Sequence, residues 1–75
     1  LVAGPTGLEI IRRVISEAPA WLRPGGWLLL EIGRGQARAV RALLGPAWTD
    51  VGMRRDLAGV IRVIAARSRG PPAKA

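Results

Sequence analysis

Trp27-Leu-Leu-Leu-Glu-Ile32 is the stretch on which the fold turns. It is short, almost wholly apolar, and set between the glycine turns Gly25-Gly26 and Gly33-Arg34-Gly35. Such a run fits a strand covered on both faces, as in a parallel sheet flanked by helices. Upstream, Leu8, Ile11, Ile15, Ala18 and Leu22 recur at spacings of 3, 4, 3 and 4, which is a helix stripe. Thr6-Gly7-Leu8-Glu9 ahead of it fits a capping box, in which hydroxyl and carboxylate each satisfy a free backbone N–H. Pro19 falls inside the stripe and removes a ladder bond, so a kink or break is expected there. Pro24-Gly25-Gly26 then stops the segment.

Downstream, residues Gln36 to Leu44 form a second helical pattern, with Ala37, Val40 and Leu44 facing inward and Gly45-Pro46 ending it. Trp48 to Arg55 alternates in part, with Val51 and Met53 on one face and Asp50 and Arg54 on the other. Leu57-Ala58-Gly59 reads as a turn, and Val60 to Ala66 as a third strand rich in β-branched residues. The order helix, strand, helix, strand, strand predicts an α/β fold: three strands, two helices and an antiparallel terminal hairpin. Residues 1–67 form the folded unit in this reading, and 68–75 a disordered basic tail.

Composition narrows the chemistry. The chain has 75 residues, near the size at which one core is only marginally stabilising. It contains neither Cys nor His, which excludes disulfides, structural zinc, thiol nucleophiles and imidazole bases within these residues. No 18-residue apolar run offers a membrane span. The first residue is Leu1, in mid-pattern, which suggests a fragment or a processed chain. The net charge of +7 favours anionic partners, but three of the twelve cations (Arg67, Arg69, Lys74) lie in the last nine positions.

The residues Leu22-Arg-Pro-Gly-Gly-Trp-Leu-Leu-Leu-Glu31 resemble the approach to the fifth strand of class I, S-adenosylmethionine-dependent methyltransferases. Gly7-Leu8-Glu9, Glu17-Ala18-Pro19, Glu31-Ile32-Gly33, Thr49-Asp50-Val51 and Asp56-Leu57-Ala58-Gly59, in that order, are similar to the C-terminal third of the HemK family. The resemblance spans about positions 1 to 67. It departs from the family at Thr6, where Asp is usual, at Arg34, where an aromatic is usual, and at Val60-Ile61, where the family has polar residues.

That resemblance implies a Rossmann-like sheet and transfer of a methyl group to the glutamine amide in the Gly-Gly-Gln motif of peptide chain release factors. The implied cofactor is S-adenosylmethionine, the implied partner a release factor, and the implied location the cytoplasm. The family's glycine-rich cofactor loop, ribose-binding acid and Asn-Pro-Pro-Tyr motif have no counterpart in these residues. The chain is therefore expected to hold no catalytic, cofactor-binding or metal residue of its own and to be inactive alone. Another class I methyltransferase, acting on rRNA or a small molecule, and a non-enzymatic basic RNA- or ribosome-binding module are the alternatives.

Leu28-Leu-Leu-Glu-Ile-Gly-Arg-Gly-Gln36 imitates a cofactor loop, with an apolar strand, an acid and Gly-x-Gly. Against it, the third glycine position is Ala37, no acid ends an apolar strand about 20 residues on, and only 39 residues follow Gln36. Glu31, the one acid in the apolar strand, sits where open α/β sheets place ligands. It is a candidate for lining the active-site cleft behind the groups that touch substrate. The plainer reading is a carboxylate paired with an arginine or bonded to the amides of residues 33–36.

Arg34, Arg38 and Arg41 share one helix face and read as solvated, Arg62 as paired with Asp50 or Asp56, and the three Trp as packing residues. Nucleic acid is disfavoured, because the Trp do not interleave with a basic stripe. Self-association through the edge of Trp27 to Ile32 is expected, since that strand would lie where a preceding strand is missing.

Overall fold

The computed structural model describes residues 7–71. In chain order, α1 is Glu9–Glu17, a 3-10 turn follows at Ala18–Ala20, β1 is Trp27–Glu31, α2 is Ala37–Leu43, β2 is Trp48–Arg55 and β3 is Ile61–Ser68. The expected two helices, three strands and terminal antiparallel hairpin are present. The break predicted at Pro19 is where α1 gives way to the 3-10 turn, with the proline at its start. Thr6 lies outside the described residues. Leu8 occupies the N-cap of α1 and makes no side-chain cap bond.

The sheet order is β1-β3-β2, so the last strand inserts between the other two. Both pairings are antiparallel, with Leu30 opposite Ile64 in one and Met53 opposite Ile64 in the other. β1 and β2 therefore point the same way, joined by the α2 crossover. Between Thr49 and Gly52 the register shifts, so that Asp50 and Val51 together span one residue of β3. Asp50 takes φ 52° there, the left-handed conformation of a bulge and one that Asp tolerates better than most residues.

All the core lies on one side of the sheet. Ile64 and Ala66 of β3 pack with Trp48, Ile32, Ile15, Ala18 and Val40, each at most 6% exposed. Leu8, Ile11, Leu22, Leu28, Leu30, Ala37 and Leu44 border this cluster, as their helical and strand periods predict. The opposite face is bare, which corrects the expectation of a strand covered on both sides. β1 alternates in burial, and Trp27 and Leu29 are 48% and 65% exposed. The cause is topological: both helices lie against the same face. Of the three Trp, only Trp48 packs in the core; Trp21 is exposed, and the Arg67 guanidinium lies 5.6 Å from the centre of the Trp27 ring.

The structured unit also runs past the expected boundary at residue 67. β3 continues to Ser68, whose N–H donates to Gly26 O (2.8 Å) and whose O accepts from Gly25 N–H (2.7 Å). The Arg69 N–H donates to Ala47 O (2.9 Å), and buried Gly70 donates its N–H to Ser68 Oγ (2.9 Å). The apolar pattern stops at Ala66, but the backbone ladder does not depend on that pattern.

Candidate functional site

The end of the sheet at which β1 and β2 finish brings together Glu31, the loop entering α2 and the β2–β3 turn. Glu31 lies opposite Val63, and the next residue, Ile32, donates its N–H to Arg62 O (2.9 Å). Glu31 is exposed on the bare face of the sheet and joins no ion pair among the described residues. Neither partner proposed for it from the sequence is present: no arginine pairs with it, and the Gly33 amide is taken by another residue.

That residue is Gln36. Its Oε1 accepts the Gly33 N–H at 2.8 Å, while its backbone N–H donates to Gly33 O (3.1 Å). The loop is thus closed on itself, with Gly35 at φ +81° supplying the reversal. A Cβ placed on Gly33 would meet Gln36 Oε1 at 3.2 Å, so the Gln36 side chain packs directly against Gly33.

Asp56 organises the other loop. Its Oδ1 accepts from the N–H groups of Ala58 (2.9 Å) and Val60 (3.0 Å), and its Oδ2 from Arg62 Nε (3.0 Å). The Asp56 N–H donates in turn to Val60 O (2.8 Å), and Gly59, at φ +83°, donates to Asp56 O (3.0 Å). Arg55 Nη1 donates to Gly59 O (2.8 Å), tying the outside of the turn. The Val60 amide, then the Arg62 guanidinium, hold the Asp56 carboxyl below its ordinary value. Of the two partners open to Arg62 in sequence, Asp56 is the one it takes. Leu57, at the tip of the turn, is fully exposed.

Arg34, Arg38 and Arg41 are exposed, as a solvated face predicts. Sequence reasoning missed the bond between the Gly33 N–H and Gln36 Oε1. No group of three or more acids able to hold a metal exists among the described residues, and no described helix is long and apolar enough to cross a membrane.

Comparison with known proteins gives the geometry its context. Over 70 residues the chain is 41% identical to a release factor glutamine methyltransferase of Synechocystis. It is 44% identical over 68 residues to that of Coxiella burnetii, and 48% identical over 64 residues to that of Pseudomonas aeruginosa. The chain matches a C-terminal fragment of the release factor glutamine methyltransferase family. These matches take in 91%, 89% and 84% of the chain but only 23%, 24% and 23% of the relatives, so the chain spans about a quarter of their length. The HemK resemblance holds for a C-terminal fragment, and the α/β architecture is consistent with the C-terminal part of a methyltransferase fold. No family model matches the chain, and no solved structure does.

Proposed function

We propose that the chain is the C-terminal part of a methyltransferase that moves the methyl group of S-adenosylmethionine to the glutamine side-chain amide in the Gly-Gly-Gln motif of release factors. One observation carries this reading: an identity of 37–48% with relatives all named for that activity, running through nearly the whole chain. The acceptor would be a release factor and the setting the cytoplasm.

The described residues do not fit the cofactor. In their one Gly-x-Gly loop the Gly33 N–H is bonded to Gln36 Oε1, and the Gln36 side chain lies against Gly33. In this reading the chain is inactive alone, and its part in the reaction is structural: it continues the sheet and closes one side of the cleft. Glu31, at the C-terminal end of β1 and without an ion-pair partner among the described residues, would line that cleft behind the residues that touch substrate.

The test is a chimera in which this chain replaces the matching segment of the Pseudomonas aeruginosa relative. Methyl transfer from labelled S-adenosylmethionine to a release factor should exceed that of the relative truncated before the segment. A chimera that folds and binds the cofactor without methylating release factor would overturn the proposal. Within it, Glu31→Ala should lower turnover with folding intact; unchanged turnover would remove Glu31 from the cleft.

A further inference from the structure

At the end of the sheet opposite Glu31, where β2 begins and β3 ends, a concave pocket of about 750 Å³ opens beside Trp48. We propose that this pocket is a binding site for a small apolar anion, a flat hydrocarbon body bearing one carboxylate or sulfonate. Its volume is that of pockets holding small organic ligands. Trp48, Ile15, Pro19 and Leu43 give it an apolar interior, while Arg12 and Arg69 are the charged groups that line it and no acid does. Neither arginine joins an ion pair among the described residues, so both guanidinium groups are available to an incoming anion. The charge that would complement the pocket is therefore negative, and its walls call for an apolar body.

The walls are also fixed before any ligand arrives. Trp48 N–H donates to Gly45 O (3.1 Å), and Arg69 N–H to Ala47 O (2.9 Å), so the loop entering β2 and the segment leaving β3 are pinned to each other. Gly70 N–H on Ser68 Oγ (2.9 Å) holds the turn that carries Arg69 and Pro71 along the rim. A preformed cavity spares a ligand the cost of ordering its own site. Nothing in the proposed methyl transfer uses this end of the sheet, so the two proposals stand or fall separately.

The experiment titrates the full chain, with Trp21→Phe and Trp27→Phe so that Trp48 alone emits, using 8-anilinonaphthalene-1-sulfonate. Saturable binding of one dye per chain with quenching of Trp48 is expected. Arg12→Gln with Arg69→Gln should weaken binding about tenfold, a change of about 1.4 kcal/mol. The uncharged relative of the dye, N-phenyl-1-naphthylamine, should bind more weakly by a similar factor. Leu29→Gln, on the bare sheet face, should leave the affinity unchanged. Equal affinity for the neutral dye, insensitivity to the two arginines, or loss on Leu29→Gln would each overturn the site. The arginines are exposed, so their replacement leaves the fold in place for the comparison.

Discussion

Gly70→Ala should cost far more than its position, five residues from the chain end, suggests. Gly70 sits at φ +88°, and a Cβ built there would lie 2.7 Å from Pro24 Cγ, with Pro24 Cβ and Cδ at 3.4 and 3.5 Å. The pyrrolidine ring has no rotamer by which to withdraw, so backbone must move. Left-handed strain costs about 1 kcal/mol in a residue with a side chain, and overpacking a filled site about 1–3 kcal/mol. Movement would also stretch the Gly70 N–H bond to Ser68 Oγ, worth about 1 kcal/mol. The sum is about 3–5 kcal/mol. Gly35→Ala is the control: φ is +81°, but no heavy atom lies within 4 Å of the added methyl, so only the strain of about 1 kcal/mol applies. Urea unfolding followed by Trp48 fluorescence, at one fixed chain concentration, reads both. Gly70→Ala should lower the midpoint well beyond Gly35→Ala. Equal shifts would refute the reasoning and mean that residues 69–71 do not pack on Pro24.

Three further outcomes follow from the same geometry. Ile64→Ala, in the middle of the central strand and 1% exposed, should destabilise by about 2–5 kcal/mol, whereas Leu29→Ala on the bare face should stay within about 0.5 kcal/mol; comparable losses would mean the core is not where it is placed. The Asp56 carboxyl is depressed below 3.8 in the fold, so its contribution is fully present above that value and is lost as pH falls through the lower folded-state value; Asp56→Asn should flatten the acid limb of the stability profile, and an unchanged limb would mean that the Val60 and Arg62 bonds do not form. Finally, since Ile32 N–H faces β3, strand alternation turns Leu29 N–H outward from the β1 edge; the chain should self-associate in sedimentation at low micromolar concentration, Leu29→Pro should suppress this without breaking a β1–β3 bond, and a parent chain already monomeric would show the edge to be inert.

Periodicity carried most of the architecture. The stripe from Leu8 to Leu22 and the break at Pro19 are local events, decided by spacing and by a missing N–H, and both stand in the structure. The β2–β3 hairpin was legible because Ala58-Gly59 marks a turn and the flanking runs are β-rich. The bare face of β1 was not: a continuous apolar run says that a strand is to be covered on both sides, but not which coverings lie within these residues. Trp27 was misassigned for the same reason, while Trp21, just past the 3-10 turn, is exposed rather than packed. The extension through Ser68 to Gly70 was invisible because backbone bonds and a buried hydroxyl, not apolar side chains, hold it. At the candidate site, spacing argued against Gly33-Arg34-Gly35 as a cofactor loop, whereas the Gln36 side chain bonded to the Gly33 N–H is a contact that spacing does not show.

In the proposed function these residues complete a methyltransferase whose cofactor site lies elsewhere. Calorimetry of S-adenosylmethionine binding tests it most directly, with the chain alone compared with the chain grafted onto the Pseudomonas aeruginosa relative. No heat of binding to the chain alone is expected at millimolar cofactor, and micromolar affinity in the graft. Micromolar affinity in the chain alone, abolished by Gly33→Ala or Gly35→Ala, would contradict it.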